Sequence, residues 1–66
     1  MDIKKIKSLM KEHKLNQTKL ALLLHTDKSN VCNKLAGRRG FSFDDVKKMK
    51  LIFNLSVEEA WKIFIE

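Results

Sequence analysis

The chain has 66 residues, of which 44% are hydrophobic and 33% charged, with a formal net charge of +6. A single small domain of this length buries only about 60% of the surface its unfolded chain exposes, yet the apolar content is that of a folded chain rather than a disordered one. Cys32 is the only cysteine, which excludes an internal disulfide, and His13 and His25 have no thiol or carboxylate at ligand spacing, which argues against a zinc site.

The predicted elements are all helical. There is no proline, and Gly37 and Gly40 are the only glycines. The first helix runs from Ile3 to His13, capped by Asp2, with Ile3, Ile6, Leu9, Met10 and His13 in one apolar stripe and Lys4, Lys5, Lys7 and Lys11 off it. Asn16 caps a second helix, Gln17 to Leu24. Leu15 and Leu20 have the spacing of a hydrophobic staple, and Leu20, Ala21, Leu23 and Leu24 form the buried side. The HTD segment interrupts the pattern. Asp27 then caps a third helix, Lys28 to Ala36, which Gly37 ends in the left-handed conformation. FSFDDV and LSVEEA announce two further helices: Ser42 and Asp45 stand at capping-box spacing, as do Ser56 and Glu59. Val46, Met49, Ile52 and Phe53 are expected to face inward from the fourth helix, and Val57, Ala60, Trp61 and Phe64 from the fifth.

Charge is distributed unevenly. Residues 1–39 carry ten Lys or Arg against three acids, whereas residues 40–66 carry four Lys against five acids. A basic half beside a near-neutral half points to a polyanionic partner for the first.

The third helix gives that partner a place to bind. At about 100° per residue, Lys28, Ser29, Cys32, Asn33 and Ala36 share an arc of roughly 140°, while Val31 and Leu35 turn toward the core. The arc is polar or small and free of acids, as the major groove of a duplex requires. Lys28 suits guanine O6 or N7, Asn33 suits the N6/N7 edge of adenine, and Ser29 suits a base or a phosphate. Cys32 is small enough to permit close approach and to touch a thymine methyl. Gln17, at a helix start, and Asn30, on the flank of the arc, are candidate phosphate contacts, as are Arg38 and Arg39 just past the helix. Each also has a plainer reading. Lys28 and Lys34 serve equally as solvated lysines, Asn33 as a loop ligand, Gln17 as a helix former, and Cys32 as a half-buried small residue.

In register, Gln17, Leu20-Ala21, Ser29, Val31, Leu35 and Gly37-Arg38-Arg39 resemble the helix-turn-helix of phage Cro and CI repressors. The residues that follow are similar to that family's last two helices, and the likeness is nearest to short Cro-like proteins of phages from Gram-positive hosts. The resemblance implies a compact five-helix, lambda-repressor-like, all-α domain with its helix-turn-helix at about residues 17–36. It also implies a repressor that binds operator DNA in the bacterial cytoplasm. Two positions depart from the pattern. His25 stands where the family usually has the turn glycine, at a cost of about 1 kcal/mol if the backbone there is left-handed. Lys34 stands where many members bury an aliphatic side chain; its stem is expected to lie on the core with the ammonium in water.

The C-terminus, AWKIFIE, concentrates Trp61, Ile63, Phe64 and Ile65, more apolar surface than one helix face hides. These four residues are the candidate dimer interface, and a homodimer would match a palindromic operator. The plainer alternative has Trp61 and Phe64 completing the core, with Ile63 and Ile65 as scattered surface residues. The tail reads equally as helix or as a short exchanged strand. The competing function is a protein–protein module, an antirepressor or antitoxin that grips its partner with this tail. No nucleophile–base pair, acidic pair or phosphate-binding glycine loop suggests an enzyme. No cofactor or small-molecule ligand is expected, and no membrane partner either, because no uncharged run, LALLLHT included, is long enough to span a bilayer and no signal peptide is evident.

Overall fold

Each helix begins at a side chain that accepts a hydrogen bond from its first turn. A computed structural model describes residues 1–65 and contains, among them, five helices: α1 (Ile3–Glu12), α2 (Gln17–Leu23), α3 (Lys28–Leu35), α4 (Phe43–Ile52) and α5 (Val57–Phe64). Asp2, Asn16, Asp27, Ser42 and Ser56 are the N-caps, and the side chain of each accepts from the backbone N–H three residues on. Both expected capping boxes are reciprocal: Asp45 accepts from the Ser42 N–H at 3.1 Å and Glu59 from the Ser56 N–H at 3.2 Å. The hydrogen bonds from the Ser56 backbone and hydroxyl hold the Glu59 carboxyl below its ordinary range.

The helix ends are equally regular. After α1, the Leu15 N–H donates to the Met10 carbonyl at 2.8 Å and the Lys14 N–H to that of Lys11 at 3.1 Å. The same pair of bonds closes α2, α3 and α4. This closure needs a left-handed residue in the first position past the cap. Lys14, His25, Gly37 and Asn54 fill it, with φ of 56°, 58°, 82° and 53°. Only Gly37 and His25 are anticipated in the sequence. Lys14 and Asn54 carry no glycine to mark them.

The core gathers one side of every helix. Ile6, Leu20, Val31 and Met49 are its largest fully enclosed side chains, and Leu9, Met10, Leu24, Leu35, Phe53 and Leu55 surround them. Complete burial of a side chain of this kind contributes roughly 1.5–3 kcal/mol. α3 packs chiefly on α2, and α5 closes against both α4 and α1. The backbone joins the last of these contacts, the Asp2 N–H donating to the Ile63 carbonyl at 2.7 Å. His13 is exposed rather than part of the core stripe, its ring lying 5.3 Å from that of Phe53.

Three further expectations about which side faces inward are corrected. Leu23 is exposed. On α5, Ile63 and Phe64 are buried with Ala60, whereas Val57 and Trp61 face solvent. The apolar residues of α5 cover an arc of about 200° at helical spacing. The core accepts only half of it, and periodicity alone does not say which half. The third correction is Lys34, whose ammonium is not in water. Lys34 lies roughly 170° from the middle of the exposed arc of α3 and points into the molecule. There its Nζ pairs with the buried carboxylate of Asp45 on α4 and lies 5.8 Å from the centre of the Phe41 ring. Burial pushes the Asp45 carboxyl upward. The hydrogen bond from Lys34, those from Ser42 and the Lys34 charge together outweigh it, so Asp45 ionises below its ordinary value.

Two predictions follow from these features. Because His25 is left-handed, His25→Gly relieves about 1 kcal/mol of backbone strain, partly offset by the freer unfolded chain. The net gain is expected to be about 0.5 kcal/mol, read as a thermal midpoint a few degrees higher; an unchanged or lower midpoint contradicts this. Lys34→Met leaves Asp45 buried without its cation. A fully enclosed pair would lose about 3–5 kcal/mol; both side chains here keep some solvent contact, so about 2 kcal/mol is expected in urea unfolding. The pair's contribution is complete above the unfolded carboxyl value, about 3.9, and is lost as pH falls through the lower folded value. The wild-type protein should therefore lose more stability than Lys34→Met between about pH 5 and pH 3. Parallel acid limbs would contradict the assignment.

Candidate nucleic-acid interface

The solvent face of α3 follows from what the other face buries. Val31 and Leu35 are in the core, and Lys34 is tied to Asp45. Lys28, Ser29, Cys32 and Ala36 are therefore exposed, with Asn33 half-buried beside them. The five residues form one strip without an acid. The carboxylate of Asp27, just before it, is turned back onto the helix, accepting from the Asn30 N–H at 2.8 Å.

Beyond α3 the chain turns at Gly37, and the Arg38 N–H donates to the Asn33 carbonyl at 3.0 Å. The same two residues also meet through their side chains: Arg38 Nη1 donates to Asn33 Oδ1 at 3.2 Å. This contact, not anticipated in the sequence, orients the Asn33 amide. Its NH2 group stays free to donate, and Oδ1 retains a lone pair that can accept. The signal for it lies in the closing motif, which sets the second residue past the C-terminal cap beside the third residue before it. Those positions usually hold an apolar pair; here they hold an arginine and an asparagine. Arg38 and Arg39 are both exposed.

The remaining candidates are placed differently. The Asn30 amide donates to Thr26 Oγ1 at 2.8 Å, so it braces the turn between α2 and α3 rather than standing free for a phosphate. Gln17 is half-buried at the start of α2 and borders a shallow groove with Lys7, Lys11, Asn16 and Leu35. Cys32 is an exposed free thiol. Lys48 fixes the far end of α2, donating to the Leu24 carbonyl at 3.4 Å while pairing with Asp44 at 3.1 Å.

On another surface, α4 and α5 enclose an apolar groove of about 430 Å³. Its walls include Phe43, Val57, Trp61 and Ile65, which are 79%, 71%, 57% and 57% exposed. Of the four candidate interface residues, Trp61 and Ile65 therefore remain available, whereas Ile63 and Phe64 are used up inside the subunit. Phe43 and Val57 are additions; the sequence shows them only as the first residues after two helix caps. Within the single chain the tail is helical through Phe64, with Ile65 as its C-cap.

Among the described residues, no three His, Cys, Asp or Glu side chains converge so as to hold a metal ion. No helix there is long and apolar enough to cross a membrane. Comparison of the chain with protein-family profiles, curated proteins and solved structures finds no match in any of the three.

Proposed function

We propose that this protein is a sequence-specific DNA-binding regulator of the Cro type, reading a duplex through the exposed strip of α3. The observation that carries the proposal is the solvent-facing, acid-free row Lys28, Ser29, Cys32 and Asn33, next to an Asn33 amide held by Arg38. In the major groove, Lys28 donates to guanine and Asn33 pairs with adenine; Arg38 and Arg39 neutralise phosphates next to them. The resemblance of residues 17–39 to phage repressors supports the same reading. Transcription is then blocked by occupancy of an operator, and the working unit is a homodimer on a two-fold site. The exposed Phe43, Val57, Trp61 and Ile65 are the surface that a second copy covers. It belongs to the near-neutral half of the chain, away from the charge excess of the basic half, and Lys47 and Lys50 are the charged residues on its walls.

The two parts have separate tests. Footprinting on the DNA that flanks the gene supplies the operator, and affinities are then measured over a salt series. Asn33→Ala is expected to lose about 1–3 kcal/mol on the operator and little on random DNA, whereas Arg38→Ala should weaken both and lower the salt slope by about 1. Unchanged affinity for both DNAs in a combined Lys28→Ala, Asn33→Ala and Arg38→Ala variant would sink the groove model and favour a protein–protein module. For the dimer, sedimentation across a concentration series should show association of the wild type and its loss in Trp61→Asp. A wild type that stays monomeric on operator DNA contradicts this part.

A further inference from the structure

The basic residues of α1 are absent from the interface proposed so far. Lys4, Lys7 and Lys11 recur at helical spacing within an arc of about 60°. All three are exposed. The two ion pairs among the described residues, Lys34–Asp45 and Lys48–Asp44, lie elsewhere. Lys4 and Lys7 are three residues apart and Lys7 and Lys11 four, spacings at which like charges repel along a helix. The row thus carries uncompensated positive charge.

We infer that Lys4, Lys7 and Lys11 form a second contact line for the phosphodiester backbone of duplex DNA, extending outward from Gln17. The inference rests on the DNA-binding reading and deepens it. Lys7 and Lys11 border a shallow groove together with Asn16 and Gln17, where α2 starts, and Leu35, where α3 ends; Met10 and Leu15 form its apolar floor. A duplex seated on α3 therefore brings a strand past this groove. Lys4 to Lys11 spans about 10 Å of helix, enough for two phosphates. A lipid surface fits less well, because α1 has no apolar face left to insert: Ile6, Leu9 and Met10 are buried in the core.

The test is the salt dependence of binding to a short random-sequence DNA duplex, on which base readout plays no part. Each phosphate neutralised adds about 0.9 to the slope of log affinity against log salt. Lys7→Ala/Lys11→Ala is expected to lower that slope by about 2 per bound chain. The drop in affinity between about 50 and 200 mM salt then becomes roughly tenfold smaller than for the wild type. Lys5→Ala removes a charge from the far side of the same helix and is expected to leave the slope unchanged. Alanine is the best helix former, so both variants keep α1. A double variant with the wild-type slope overturns the second contact line while leaving the α3 reading intact. If the wild type itself binds no duplex in a salt-dependent way, both fall together.

Discussion

The rotation of α3 about its own axis decides which residues the molecule shows, and the ion pair between Lys34 and Asp45 fixes that rotation. Val31 and Leu35 alone would hold the helix by non-directional contact, which tolerates some roll. A buried charge tolerates little, because an ammonium turned away from its carboxylate leaves Asp45 uncompensated in the interior. Asp45 is held in turn by Ser42, whose N–H it caps at the start of α4. The chain of constraint therefore runs from a local capping box through one charge pair to the orientation of Lys28, Ser29, Cys32 and Asn33. Relative to an apolar pair at both positions, a lysine opposite the exposed strip joined to Asp45 gives up some stability for a defined roll.

Helix starts were legible in the sequence because capping is local. Asp2, Asn16, Asp27, Ser42 and Ser56 each act on an N–H three residues away, and nothing distant competes. Helix ends were legible only where glycine marked them or where the family resemblance pointed to a turn. Lys14 and Asn54 take the left-handed conformation because the chain must turn there to bury Leu15 and Leu55, which is a tertiary demand. The sidedness of α5 failed for a related reason. With Val57, Ala60, Trp61, Ile63, Phe64 and Ile65 spread over more than half the helix circumference, the choice of buried face belongs to α1 and α4.

The candidate site was legible to about the same depth. The exposed strip of α3 followed from phase arithmetic, since burying Val31 and Leu35 leaves the opposite side of the helix to solvent over the small roll that such contacts allow. The side-chain contacts did not. Arg38 reaching back to Asn33 is hinted at only by the closing motif after Leu35, and Asn30 turning to Thr26 depends on the backbone closing after Leu24, with no pattern in the residues to announce it. Lys34 was misjudged because its partner is eleven positions away, on an element whose packing the sequence does not state.

The backbone bond from Asp2 to Ile63 has a consequence for how the fold is reached. It joins α1 to α5 across nearly the whole chain, and Ala60, Ile63 and Phe64 complete the core beside it. During synthesis the first four helices leave the ribosome before the residues that seal them, and closing so long a loop costs entropy that the earlier local contacts do not recover. Until α5 docks, the apolar sides of the earlier helices lack the cover that Ala60, Ile63 and Phe64 provide, so this one closure carries much of the fold's long-range cooperativity.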